Sequence, residues 1–149
     1  MRRTISILAA VTLALTGTLA VSGPAAAAPS LRFHGTQYDS PGKDTRSAKS
    51  LNAEWISLVN TGSKAVNLKG YTIRDASNHV FTFGATTIAA KGGRVWVHTG
   101  KGTKTAKNVY WGSGNYVWNN TGDTAYLRTS AGKAIDSCKW GKGAGSTAC

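Results

Sequence analysis

The chain has 149 residues, of which 18 are Lys or Arg and 6 are Asp or Glu, giving a formal net charge of +12. About 120 residues remain after a leader at the N-terminus, which is enough for one domain with a single core and too few for two. Nothing beyond the leader approaches the run of about 20 apolar residues that a transmembrane helix needs.

The first 27 residues have the pattern of a signal peptide. Arg2 and Arg3 precede an apolar run, and a stretch of alanines at 25–28 follows it. The run is short for a membrane span, and small residues suit an A-x-A cleavage site. We expect cleavage near Ala27 and a mature domain, 28–149, that is secreted and extracellular.

The mature sequence consists of short alternating apolar and polar runs separated by clusters of Gly, Asn, Asp and Ser. β-Branched and aromatic residues at every second position indicate strands, and the clusters indicate turns. Strands of this length and spacing predict an all-β fold, either an antiparallel sandwich or a barrel. In chain order the predicted strands are 31–38, 54–60, 65–68, 71–74, 79–83, 93–98, 108–111, 116–118, 124–128 and 134–140.

Alternation also predicts the core, because residues two apart on a strand share a face. The polar segment 39–52 has no regular pattern of apolar residues, and it is predicted to be a connecting loop or a small functional appendage. The pairs expected to point inward are Ile56 and Leu58, Val66 and Leu68, Tyr71 and Ile73, Phe81 and Phe83, Val95 and Val97, and Ala125 and Leu127.

A Thr-Gly pair recurs three times, as Asn-Thr-Gly at 60–62 and 120–122 and as His-Thr-Gly at 98–100. A catalytic loop need not recur, whereas a turn can, so each copy is predicted to reverse the chain in a hairpin. Asn and Gly would supply positive φ angles, and Asp123 or Ser63 would cap the turn.

Two cysteines, Cys138 and Cys149, lie near the C-terminus. In an oxidising compartment they are expected to pair and to pin the C-terminal tail. A zinc site would need further ligands close by in sequence, and none is present there.

Basic residues are concentrated in one interval of the sequence. No acidic residue lies between Asp75 and Asp123. A field of one sign attracts polyanions in general, although it can also serve solubility alone. The cations of this interval, which we take as the candidate anion-binding residues, are Lys91, Arg94, Lys101, Lys104 and Lys107.

Several segments of the mature chain form a pattern more specific than a lone turn motif. They are NAEWISLVNTGSKAVNLKGYTIRD (52–75), FTF (81–83), Gly92-Gly93, VYW (109–111) and VWNNTGDTAYL (117–127). Together they resemble the lamin tail domain family, particularly its secreted bacterial members. The resemblance covers nearly all of the mature chain and implies an immunoglobulin-like β-sandwich that acts as an adhesion or tethering module without catalytic residues. It also implies that Glu54 orders a loop through backbone N–H groups and that Asp75 begins the turn before His79.

A cluster of aromatic residues suggests a second kind of binding. Tyr110, Trp111, Tyr116 and Trp118 lie within nine residues around a Gly-Ser-Gly turn. An exposed Trp111 or Trp118 could stack on a sugar ring, while the alternative is that these residues close one end of the core. Trp55 and Trp96 raise the same question on other strands.

Catalysis and metal binding have weaker support. The histidines, His34, His79 and His98, could form an acid/base pair of a secreted hydrolase or nuclease, but no G-x-S-x-G motif occurs. Asp39 and Asp44 offer oxygen ligands that would suit Ca²⁺, but two carboxylates are few. The expectation is therefore a non-enzymatic module, without metal or cofactor, that binds an anionic envelope polymer, nucleic acid or an envelope protein.

Overall fold

The computed structural model describes residues 28–149. The signal peptide predicted at 1–27 lies outside the described residues. Among residues 28–149, no helix is long and apolar enough to cross a membrane. The elements, in chain order, are β1 Leu31–Gln37, α1 Ala48–Ala53, β2 Trp55–Asn60, β3 Val66–Asn67, β4 Thr72–Arg74, β5 Val80–Thr82, β6 Thr87–Ile88, β7 Gly93–His98, β8 Asn108–Tyr110, β9 Gly122–Arg128, β10 Ala134–Gly141 and β11 Ser146–Ala148.

These strands form an immunoglobulin-like β-sandwich, which confirms the predicted fold class. One sheet has five strands in the order β11-β1-β2-β7-β8, and the other has four in the order β10-β9-β4-β5. A small ladder of β3 and β6 completes the fold. All pairings are antiparallel except that of β7 with β8, which is parallel.

The core lies between the two large sheets, and the predicted inward pairs contribute to it. Ile56, Leu58, Val95, Ala125 and Leu127 are completely buried. Burying each large apolar side chain stabilises the fold by roughly 1.5–3 kcal/mol. Three predicted members, Val66, Tyr71 and Phe81, are only partly buried and pack against the edge of the core.

The predicted strand 116–118 is a loop in the structure, so this prediction is wrong. The reason is Glu54, whose carboxylate oxygen Oε1 accepts hydrogen bonds from the backbone N–H groups of Val117 and Trp118 at 2.8 and 3.4 Å. Those two N–H groups are therefore bonded to a side chain rather than to a neighbouring strand.

The polar segment 39–52 leads into a short helix, α1 (Ala48–Ala53), which was not predicted. Ser47 caps its N-terminus by accepting a hydrogen bond from the Ser50 N–H at 3.2 Å. Only Leu51 of this helix is buried. One apolar anchor in six residues is too weak a pattern to indicate an amphipathic helix.

The hairpin interpretation of the Thr-Gly pairs is also wrong for all three copies. The copy at 120–122 follows the loop 116–118, and β9 pairs with β10 and β4, so Gly122 does not join two paired strands. β2 pairs with β1 and β7 rather than with β3, and β7 runs parallel to β8, so neither Gly62 nor Gly100 closes a hairpin. Neither of these glycines has a positive φ angle. Gly100 is instead required by a close approach, since a Cβ atom there would lie 2.7 Å from the Asn52 Oδ1 atom. Only Gly122 has the expected positive φ, at 142°.

The predicted disulfide is confirmed. Cys138 and Cys149 are bonded, with their Cα atoms 5.4 Å apart. Cys138 lies on β10 of the four-stranded sheet, and Cys149 comes directly after β11 of the five-stranded sheet. The bond therefore links the two sheets at one edge of the sandwich.

Candidate binding surface

Glu54 is completely buried between the sheets and organises one end of the sandwich. Its Oε1 atom accepts a hydrogen bond from the Thr99 hydroxyl at 2.6 Å as well as those from Val117 and Trp118. Its Oε2 atom has no hydrogen-bond partner within the described residues. Burial raises the pKa of Glu54 to about 7, because the three hydrogen bonds only partly offset the loss of solvent. The expected loop-ordering role is thus confirmed.

Two aspartates are likewise buried and hydrogen-bonded to backbone groups. Asp75 accepts from the His79 N–H at 2.7 Å, and its other oxygen contacts the His79 Nδ1 atom at 2.6 Å. Asp123 accepts from the backbone N–H groups of Ala76, Asn119 and Thr124. Both residues fix turns, in agreement with the expectation from sequence.

The surface is consequently more basic than the composition indicates. Of the six acidic residues, Glu54, Asp75 and Asp123 are buried. Of the 18 basic residues, all but Arg2 and Arg3 lie in the described range, which leaves 16 basic and 6 acidic residues and a net charge of +10. None of those 16 basic residues is buried.

The five candidate cations are all exposed, but they do not form one cluster. Lys91 lies in the turn before β7, and Lys101 lies beyond the other end of that strand. Arg94 is on β7, and the backbone carbonyl of Lys107 accepts the N–H of the β7 residue Trp96 at 2.8 Å. The Lys104 ammonium group donates to the carbonyl oxygen of Ala85. The structure therefore places Arg94 on β7 and Lys107 next to that strand, whereas Lys91, Lys101 and Lys104 lie in the turns and loops around it.

The aromatic cluster mainly closes the end of the core. Trp118 is 3% exposed, so its proposed stacking on a sugar is wrong; its ring lies edge-on to those of Trp111 and Trp140, with centroids 5.8 and 5.5 Å away. Trp111 is partly buried and packs against the core. Tyr110 stacks on His98, and the Tyr116 hydroxyl bonds to Ser50 at 2.6 Å.

A different pair of tryptophans remains partly exposed on the five-stranded sheet. Trp55 and Trp96 alternate with the buried residues Ile56, Val95 and Val97, so they point away from the core. We call this side of the sheet the outer face. Its three cross-strand rows are Arg32-Val59-Arg94, Gly35-Ser57-Trp96-Asn108 and Gln37-Trp55-His98-Tyr110.

The sequence did not predict this face, because the pattern of a single strand does not show which residues of the adjacent strand will lie beside a tryptophan. Alternation alone predicts that Trp55 lies opposite to Ile56 and that Trp96 lies opposite to Val95. Their juxtaposition depends on the register of β2 against β7, in which Trp55 pairs with His98 and Ser57 pairs with Trp96. Register is set by the whole sheet.

The three histidines do not converge. His34 and His98 lie on the five-stranded sheet, and His79 lies in the turn before β5 of the other sheet. Both ring nitrogens of His98 are engaged, by the Asn52 carbonyl at 2.8 Å and by Asn108 Oδ1 at 2.9 Å. Burial, together with the charges of two nearby arginines, lowers the pKa of His34. The structure does not assemble a histidine pair of the kind that acid/base catalysis uses.

The Ca²⁺ candidate at 39–44 gains no further ligands in the structure. The Ser40 hydroxyl, which lies next to Asp39 in the sequence, donates to the Ser50 carbonyl at 2.6 Å. Among residues 28–149, no group of three or more His, Cys, Asp or Glu side chains is arranged to hold a metal ion.

The comparisons with known proteins agree with this architecture. Among curated proteins, no sequence matches this chain. The family model described as Lamin Tail Domain matches residues 24–142, which is most of the chain and includes every strand from β1 to β10. The chain therefore belongs to the lamin tail domain family.

Proposed function

We propose that this chain is a secreted, non-enzymatic binding module that attaches to an anionic partner at the cell envelope. The observation that carries the proposal is the separation of charge: half of the acidic side chains are buried and bonded to the backbone, while the basic side chains remain at the surface. Such a surface attracts polyanions at long range and retains them through many weak contacts.

The location is argued from two independent features. Residues 1–27 have the composition of an export signal, with two arginines followed by an apolar run and alanines. The Cys138–Cys149 bond is of a kind that persists in oxidising compartments. Export would bring a strongly basic domain into contact with anionic polymers of the envelope.

The contact is proposed to centre on the β7 side of the five-stranded sheet. Arg94 and Lys107 lie beside this strand, and Lys101 comes after its end. Lys104 donates one hydrogen bond to the Ala85 carbonyl oxygen and keeps its charge and two further N–H donors. These cations lie at intervals along a surface rather than in a pocket, which suits an extended polymer better than a small ligand.

Binding of the mature protein to immobilised heparin, DNA and anionic wall polymer tests this function. Retention should fall sharply as salt rises from about 0.01 M to about 0.15 M, because the Debye length shrinks from roughly 30 Å to roughly 8 Å. A Lys101→Gln/Lys107→Gln variant should elute at lower salt than the wild type.

The matched control is Lys69→Gln/Lys133→Gln, which removes the same charge from two exposed lysines in turns next to the four-stranded sheet. Equal losses for the two variants would mean that net charge alone acts, without a defined surface. Retention that ignores salt would refute the electrostatic mechanism.

A further inference from the structure

The outer face carries cations at one end and aromatic rings in its other two rows. One end row carries two arginines, Arg32 and Arg94, on either side of Val59. The middle row carries Trp96. Lys107 lies next to Trp96, because the Trp96 N–H donates to the Lys107 carbonyl oxygen. The outward residues of β1, β2, β7 and β8 include no Asp or Glu.

Trp55 and Trp96 are diagonal neighbours on adjacent strands. Trp55 lies opposite His98, two residues beyond Trp96 on β7. Diagonal positions of an antiparallel pair are about 7–8 Å apart, within reach of large aromatic side chains. Both indoles are partly exposed on the same side of a regular sheet, so one ligand lying on that side can contact both.

The chemistry of this face fits sugar rings that carry acidic groups. The negative face of an indole attracts the slightly positive C–H groups on one side of a pyranose ring. Guanidinium groups bind carboxylate or sulfate with paired, directional hydrogen bonds. A ligand lying across the rows would place its rings on the tryptophans and an acidic group at the arginines.

We propose that the outer face binds an acidic polysaccharide, a polymer of pyranose sugars bearing carboxylate or sulfate groups, with Trp55 and Trp96 as stacking platforms and Arg32 and Arg94 as anion ligands. The inference rests on the proposed function, because both require an anionic partner. It adds the class of that partner and a defined site, and it places sugar stacking on residues other than Trp111 and Trp118.

The distribution of charge favours an acidic glycan over single-stranded nucleic acid. Nucleic acid also stacks on aromatic side chains, but it carries a phosphate on every nucleotide and tracks a continuous line of cations. Here the row opposite the arginines contains no Arg or Lys, with Gln37 next to Trp55 and Tyr110 next to His98. The arginines are therefore confined to one end row, unlike the cations of a groove that tracks single-stranded nucleic acid along its length.

The test measures binding of the mature protein to polygalacturonate, to its fully methyl-esterified form, to heparin and to a single-stranded oligothymidylate. The variants are Trp96→Ala, Trp96→Phe, Arg94→Gln and the double variant Lys101→Gln/Lys107→Gln. The control is Arg74→Gln, which removes a guanidinium placed over the Tyr126 ring, 5.9 Å from its centroid, on the four-stranded sheet. Thermal unfolding of each variant establishes that it is folded.

Polygalacturonate or heparin should bind, and the esterified polymer should bind much more weakly because it keeps the rings and loses the charge. Trp96→Ala and Arg94→Gln should each weaken binding roughly tenfold or more, as expected when an aromatic or arginine side chain that contacts the ligand is removed. Trp96→Phe should retain part of the affinity, and Arg74→Gln should match the wild type. If Trp96→Ala fails to fold, Trp96→Phe and Arg94→Gln still decide the outcome.

Three results would overturn the site, and they differ in what they mean for the proposed function. Binding that depends on Lys101 and Lys107 but not on Trp96 or Arg94 would leave the proposed function standing and remove this site. Preference for oligothymidylate through the same residues would make the ligand a nucleic acid. No binding to any of the charged polymers would remove both.

Discussion

Glu54 shows how one residue can be essential to the fold and still resemble a catalytic acid. It is completely buried, has a raised pKa and lies at the end of the sandwich, all of which are features of active-site carboxyls. Its contacts are nevertheless to Thr99, Val117 and Trp118, which tie a loop to the core. The pKa shift results from burial and needs no catalytic explanation.

The raised pKa of Glu54 predicts a specific pH dependence of stability. The ordinary value is 4.5 and the folded value is about 7. Between these values the folded state holds a proton that the unfolded state has lost, so the free energy of unfolding falls as pH rises through this window and levels off above it. The decrease from this group should reach at most about 3 kcal/mol.

Urea unfolding of the wild type and Glu54→Gln at pH 4.5, 6 and 8 would measure this effect. Glutamine keeps an acceptor oxygen for the three hydrogen bonds and cannot ionise. The variant should therefore lack this component of the pH dependence, and its stability relative to the wild type should improve as pH rises. Parallel stability curves for the two proteins would show that Glu54 does not titrate in this range.

At the scale of elements, the edge strand β11 depends on the cysteine at its C-terminal end. β11 has three residues and pairs only with β1. Gly35 lies opposite Ala148 at one end of this pairing, and Gln37 lies opposite Ser146 at the other. Cys149, the next residue, is bonded to Cys138 on the other sheet. A three-residue strand at the edge of a sheet would open locally without that bond.

Loss of the disulfide should therefore lower stability and loosen β11 first. A Cys138→Ala/Cys149→Ala variant should lose about 2–3 kcal/mol of unfolding free energy, as for other short disulfide loops. Hydrogen exchange should show faster amide exchange in β11 and at its partners in β1, with little change in β7. Unchanged exchange in β11 would mean that β1 pairing alone holds the strand. Wild type under reducing conditions is the matched control.

Most strands could be predicted from sequence because alternation is a local property. β7 was predicted with its observed bounds, and the ends of β2 and β9 differ by one or two residues. The errors arise where distant groups decide the local structure. The loop 116–118 depends on Glu54, more than 60 residues away, and the direction of β8 depends on a crossover connection that no local pattern specifies.

In the candidate site, too, local features could be predicted from sequence and features that depend on distant residues could not. Exposure of the basic residues could be predicted, since long charged side chains are rarely buried. The burial of Trp118 could not, because it depends on contacts with Trp111 and Trp140 at the end of the core. The diagonal placement of Trp55 and Trp96 could not be predicted either, because it depends on the register of two strands that are about 40 residues apart.

At the scale of the whole molecule, the fold arranges acidic and basic residues differently. Glu54, Asp75 and Asp123 each accept backbone hydrogen bonds inside the fold. The same carboxylates that stabilise loops are thereby removed from the surface. A domain of this kind gains both a stable scaffold and a positive exterior from a small number of acids, which suits attachment to an anionic partner.

The most direct test of this attachment is retention of the mature protein on washed bacterial envelopes at two salt concentrations. We predict capture at about 0.01 M salt and extensive release at about 0.15 M or above, as screening shortens the range of the surface charges. Failure to bind at low salt, or binding that is equally strong at both concentrations, would contradict an electrostatic attachment module.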